Sequence, residues 1–214
     1  MGDEYTSWLW KKRAGKCVKN LIKHRFDAHY VETAADARKM ILGITKDLTT
    51  IGFGGSVTIN SIDIKKELHA RGKTLFDHND ENLSFEEKLD YRKKQVACDC
   101  FLLSANGIAE TGEIVNVDGV GNRTNAMTFG PGKVIVVAGV NKLAPDLHSA
   151  IRRIKEVAAP MRAKSLGVET PCAETGICVD CNAPMRICNI TAILHRKPMM
   201  TDVTVILINQ ELGY

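Results

Sequence analysis

Apolar positions recur along this chain with two different periods, and the period switches from segment to segment. Near the start Ala14, Val18, Leu21 and Ile22 fall on one helical face while Lys and Arg fill the other, which predicts a helix over residues 5–25. A short extended piece over 28–31 follows. Thr33 and Asp36 then form a capping pair opening a second helix, with the stripe Ala37, Met40, Ile41 and Ile44. Residues 49–53 read as a strand that runs straight into Gly54-Gly55-Ser56. A third helix is expected over 59–70, ending near Gly72, then a short strand over 73–76. Ser84 caps a helix to about residue 97, with Glu86 and Glu87 in its first turn.

The middle of the chain changes to strand patterning. Residues 100–104 form an apolar run, and 108–110 and 114–117 flank Thr111-Gly112 as a hairpin would. Residues 133–138 (Lys-Val-Ile-Val-Val-Ala) form the clearest strand, apolar on both faces as in a parallel sheet. A helix over 146–158 follows, which Pro160 is expected to interrupt. A cysteine-rich loop spans about 170–188, and the last strand is 203–208. Alternating strands and helices predict an α/β fold, with a parallel-rich or mixed sheet flanked by helices and the cysteine-rich loop near the C-terminus. The chain reads as one domain over 1–214, a helical segment over about 1–47 leading into a sheet core over about 48–214.

Composition narrows the classes. At 214 residues, 44% apolar and 25% charged, the chain can bury a sizeable core and is not disordered in the main. The net charge of +4 is spread thinly and only 6% of residues are aromatic, which argues against a nucleic-acid footprint. Met1-Gly2-Asp3-Glu4 begins neither a basic leader nor a myristoylation pattern, and no apolar stretch approaches the ~18–20 residues of a membrane helix. The expectation is a cytoplasmic protein with no membrane partner. In that compartment the seven cysteines serve as thiols, ligands or catalytic groups. Cys17, Cys98 and Cys100 fit packing positions. His69, His78, His148 and His195 show no partner at ligand spacing and read as structural or solvated.

Three segments carry candidate chemistry. Gly54, Gly55 and Ser56 sit where a strand hands over to a helix, an arrangement that can present amides to a phosphate or carboxylate. Val57 stands where a dinucleotide loop needs a small residue, and Gly-Lys-Ser/Thr is absent, so neither a nicotinamide nor a Walker fingerprint is present. The alternative is a tight turn that only lets helix and sheet pack. Between Ser104 and Arg123, polar residues and glycines crowd a stretch otherwise built as strands. Glu110 is a candidate general base or nucleophile, and Arg123 a candidate clamp for an anionic substrate. Asn106, Gly119 and Asn122 complete the candidate binding set, and a solvated hairpin is the competing reading. Cys172, Cys178, Cys181 and Cys188 gather four thiols within seventeen residues, which suits an iron–sulfur cluster or, less well, zinc. Free thiols or disulfides remain open on spacing alone.

Gly54-Gly55-Ser56, the Glu110-Thr111-Gly112 hairpin, Gly119-x-Gly121-Asn122-Arg123 and the strand over 134–138 follow the order of the LUD (lactate-utilisation) domain family. The resemblance spans about Trp8 to Leu212. It implies a fold like that of the sugar-isomerase and CoA-transferase superfamily, with a pocket beside the glycine loop. It also implies a part in oxidising L-lactate or a related 2-hydroxy acid, alongside iron–sulfur oxidoreductase subunits. The cysteine cluster departs from that pattern, since the domain does not require one. Two other functions stay open: a transferase or isomerase acting on a phosphorylated or CoA-linked substrate, and a non-catalytic metal-binding or regulatory module. The substrate is expected to be a small anion, and a homo-oligomer is compatible with the sequence.

Overall fold

The computed structural model describes residues 4–214; the Met1–Asp3 start lies outside the described residues. Helix α1 (Glu4–Lys23) buries Ala14 and Leu21 of the predicted stripe together with Cys17, while Ile22 is exposed. β1 (Asp27–Val31) leads to α2 (Ala34–Ile44), which opens on the expected capping box between Thr33 and Asp36. β2 (Thr50–Phe53), α3 (Val57–Ser61), α4 (Ile64–Ala70) and β3 (Thr74–Phe76) come next. The sequence suggested one helix over 59–70, whereas two occur. Asp63 breaks them apart with φ 49°, a left-handed conformation that Asp tolerates, and the bend keeps Ile59, Ile62, Ile64 and Leu68 all buried.

α5 (Phe85–Val96) carries a second capping box, Ser84 with Glu87. β4 (Cys100–Leu103), β5 (Gly107–Ala109) and β6 (Ile114–Asp118) follow, with Gly112 at φ 105° turning the hairpin. α6 (Asn122–Thr128) was not foreseen, because its Asn-Arg-Thr-Asn start reads as loop. β7 (Lys133–Gly139) ends in a single tight turn over Val140–Lys142 and the two-residue β8 (Leu143–Ala144).

α7 (Leu147–Arg153) does not stop at Pro160. A wide turn over Ile154–Ala158, in which the Ala159 N–H reaches back five residues to the Ile154 carbonyl, passes directly into α8 (Ala159–Leu166). Pro160 thus sits in the first turn of α8, where its missing N–H costs little. α9 (Pro171–Thr175) lies within the cysteine segment. β9 (Ile190–Leu194) and β10 (Asp202–Ile208) close the chain. The half-exposed β9, Ile-Thr-Ala-Ile-Leu, was not foreseen from the sequence.

Six strands form a parallel sheet in the order β1-β10-β7-β4-β2-β3. A second, mixed sheet runs β8-β5-β6-β9. The parallel sheet is buried on both faces. Val134, Val136 and Ala138 pack with α1 and α6 residues on one side, while Ile135 and Val137 meet α2, α3 and α4 on the other. This is the helix-flanked, mainly parallel architecture the alternation implied. The buried thiols are packing groups: Cys17 and Cys98 lie inside, with burial pushing their pKa up to about 12 and about 11.

Chain direction along the sheet reverses between β2 and β4. β3 is added on one side of β2 and β4 on the other. Such a switch leaves a crevice beyond the strand ends, because the loops diverge.

Candidate functional site

That crevice holds a cavity of about 260 Å³. Gly55 and Ser56 reach it from the end of β2, Ser104 and Asn106 from the end of β4, and Lys142 from the turn after β7. The second sheet contributes Val117 and Asp118, α6 contributes Asn122 and Arg123, and the wide turn with α8 contributes Ile154, Ala158 and Arg162. The wide turn brings Ile154 and Ala158 onto the wall.

The wall is strongly cationic. Arg92, Arg123, Lys142 and Arg162 line it, and none of them forms a salt bridge among the described residues. The facing carboxylate, Asp118, is already used: its Oδ2 accepts from the backbone N–H groups of Arg123 (2.9 Å) and Thr124 (3.1 Å). Lys142 is 5% exposed and its Nζ donates to Ser104 Oγ at 3.2 Å. Burial, reinforced by the positive charges of Arg153 and Arg123, pushes its pKa down from 10.5 to about 7. Burial also lowers Arg123 and Arg153 from their ordinary range. Arg92 carries a buried Nε with no hydrogen-bond partner.

Arg123 is held rather than loose. Its guanidinium donates to Asn106 Oδ1 at 2.9 Å and to the Val117 carbonyl. Asn106 is a hub: its Oδ1 also accepts from Val117 N–H (2.8 Å), and its carbonyl accepts from Arg153 (2.7 Å). Asn122 donates to Gln95 Oε1 at 3.2 Å. Gln95 is fully buried and its amide nitrogen reaches the carbonyls of Phe53 and Phe76 and His78 Nδ1 at 2.8 Å. Burial and the Arg92 charge lower the His78 pKa to about 4.

The family model of the LUD domain matches residues 14–208. The chain belongs to the LUD domain family. That family is associated with lactate utilisation. The structure is similar to the crystal structure of a DUF162 family protein from Deinococcus radiodurans, with a TM-score of 0.55 and 11% identity. The match covers 93% of this chain and 98% of that one, and at such identity the likeness is one of fold. No curated protein matches the chain. No helix among the described residues is long and apolar enough to cross a membrane.

Within this LUD domain the candidate residues from the sequence are distributed unevenly. Gly55, Ser56, Asn106, Gly119, Asn122 and Arg123 meet around the cleft. Gly54 does not face the cavity. A Cβ there would lie 3.0 Å from Cγ and Cδ of Arg123, so the glycine makes room for that side chain. Ser56 Oγ is engaged as the cap of α3, accepting from the Ile59 N–H at 3.2 Å.

Glu110 is absent from the lining, and the expectation that it shares the cleft with Arg123 is corrected. Its carboxylate pairs with Arg13 and with Lys16 (3.4 Å), and its carbonyl accepts from Asn20 at 2.7 Å. The hairpin turn directs it toward α1, so the group tethers that helix to the second sheet.

The four clustered cysteines are free and half-buried. Among the described residues no three His, Cys, Asp or Glu side chains come together as metal ligands. Arg186 lies among the thiols, donating to the Cys181 carbonyl and to Cys188 Sγ (3.3 Å), with its Nε buried and unpartnered. In this arrangement the loop does not fit a cluster. It does touch the cleft: Ile187 lines it and packs on Gly119, where a Cβ would meet the Ile187 Cα at 3.1 Å.

Sequence reasoning passed over Lys142, Arg162, Arg92 and Gln95, and placed His78 among solvated or structural histidines. Lys142 had a usable signal. It stands just past the strongest parallel strand, where ligands gather at strand ends. Arg92 and Arg162 reach the cleft from helices whose facing could not be read without the fold, His78 comes from the turn after β3, and Gln95 lies behind the lining.

Proposed function

We propose that this LUD-domain protein binds a small carboxylate anion, a 2-hydroxy or 2-oxo acid, in the cleft at the sheet switch. Through it the protein serves utilisation of L-lactate or a related 2-hydroxy acid. The observation carrying this reading is a wall of basic side chains, buried Lys142 and half-buried Arg123 with Arg92 and Arg162, none of which forms a salt bridge among the described residues. Burying an unpaired cation costs several kcal/mol, and an incoming carboxylate offsets that cost. A cavity of about 260 Å³ suits a three-carbon acid better than the drug-sized ligands that fill larger clefts. Hydroxy-acid oxidation needs an electron acceptor. On this reading it comes from iron–sulfur oxidoreductase partners in the cytoplasm.

Calorimetry at low salt tests the reading, with L-lactate, pyruvate, inorganic phosphate and acetyl-CoA titrated separately. L-lactate and pyruvate should bind and compete with each other. Arg162→Ala should weaken both about tenfold, since a hydrogen bond to a charged group contributes about 1.5–3 kcal/mol. Binding of phosphate or acetyl-CoA alone would replace this reading with the transferase or isomerase one.

A further inference from the structure

We propose that the ε-amine of Lys142 is a nucleophile that condenses with the carbonyl carbon of a 2-oxo acid held in this cleft, forming an imine. The inference rests on the cleft being a carboxylate site and goes one step deeper into it. Lys142 follows β7 through one tight turn, and its side chain runs back to the cavity, where Nζ lies 3.2 Å from Ser104 Oγ. The charged groups acting on it are Arg153 from α7 and Arg123 from α6, both cations. The cleft carboxylate, Asp118, is turned to the amides that open α6. A lysine that is desolvated and placed beside other cations is the arrangement that frees an amine for attack on a carbonyl. Its pKa of about 7 agrees.

The remaining groups suit the same reaction. The guanidinium groups of Arg123 and Arg162 are available to the substrate carboxylate on the same wall. Ser104 is 2% exposed and its hydroxyl lies between Lys142 Nζ and Thr58 Oγ1, which is 3.3 Å away. In the step itself the nitrogen lone pair forms the C–N bond and the carbonyl π pair moves to oxygen. A proton passes from nitrogen to that oxygen through Ser104, giving a carbinolamine. The C–O bond then breaks, a second nitrogen proton goes with the oxygen, and one water leaves. Nothing is oxidised or reduced, so no external acceptor is required. Ser104 positions and relays; Lys142 is the group that bonds to substrate.

The test uses the full chain with pyruvate and sodium borohydride at about pH 7.5, followed by intact-mass and peptide mass spectrometry. Calorimetry of pyruvate binding is run in parallel. One reduced adduct should form, on Lys142. It should appear about 500-fold faster than on ordinary lysines, whose neutral fraction at that pH is about one in a thousand against about three in four for Lys142. Lys142→Arg, which keeps the cation, should bind pyruvate and give no adduct. Lys142→Met, which fits the buried site without added bulk, should give none either. Pyruvate binding without an adduct on Lys142, or equal labelling in the variants, would overturn this inference and leave the carboxylate site standing. Absence of both binding and adduct would overturn the two together.

Discussion

Replacing Lys142 with Met removes a buried cation and keeps a long, unbranched side chain. The change is expected to stabilise the fold while removing the amine from the cleft. A fall of the lysine pKa from 10.5 to about 7 corresponds to about 5 kcal/mol against holding the proton in the folded protein. The penalty is fully present below pH 7, where the group is protonated both folded and unfolded. It fades as pH rises toward 10.5, where the unfolded chain also gives up the proton. Methionine escapes it but leaves Ser104 Oγ without the Nζ donor, which returns about 1 kcal/mol. The expected net gain at pH 7 is about 1–4 kcal/mol, within the range for replacing buried charge by apolar side chains. Urea denaturation of both proteins at about pH 7 and about pH 10 measures it, with the gap narrowing to about zero at the higher pH, where the lost Ser104 contact offsets what remains of the penalty. Ionisation of the buried thiols cancels in the comparison, since both proteins carry them. A variant less stable than the parent at both pH values, or a gap that ignores pH, would refute the reasoning.

His78 gives the opposite pH signature. Its pKa is lowered from 6.5 to about 4, so stability holds above pH 6.5 and falls as pH drops toward 4, by up to about 3 kcal/mol. Denaturation across that window should show the loss, and His78→Gln should flatten it. Glu110→Gln should cost about 1–3 kcal/mol of stability by leaving Arg13 unpaired, while the affinity for L-lactate stays within about a factor of two. A large loss of binding would return Glu110 to the site. For the cysteine loop, iron, sulfide and zinc are to be measured on anaerobically prepared protein. With Arg186 among the thiols, only a trace unaffected by Cys181→Ala is expected, and about one centre per chain, lost in that variant, would show that the loop rearranges around metal.

The parallel sheet was legible because burial on both faces leaves near-continuous apolar runs, as in residues 133–138 and 203–208. The capping boxes at Thr33 and Ser84 were legible because they are local chemistry. Features set by tertiary contact were not. β9 is half exposed and is defined by its pairing to β6, and α6 is a polar segment held by Asp118 and by the φ 97° of Gly121. Pro160 misled because a proline usually ends a helix, whereas the wide turn before it resets the hydrogen-bond register. Half of the cleft followed from the glycine loop and from the residues between Asn106 and Arg123. Glu110 misled because a carboxylate beside a glycine turn looks the same in sequence whether it faces a cavity or a neighbouring helix. Lys142, Arg162 and Arg92 converge from distant segments, and only the switch between β2 and β4 brings them to one wall.

On the proposed reading Lys142, whose pKa is pushed down to about 7, is completed by an incoming carboxylate. A bound anion favours the charged amine, so binding must take up protons. Calorimetric titration of L-lactate at about pH 7.5, in buffers of differing ionisation heat, measures that uptake directly. The account predicts uptake of a fraction of a proton per site, present in the parent and absent in Lys142→Met. Binding with no proton uptake, or uptake unchanged by the substitution, would contradict it.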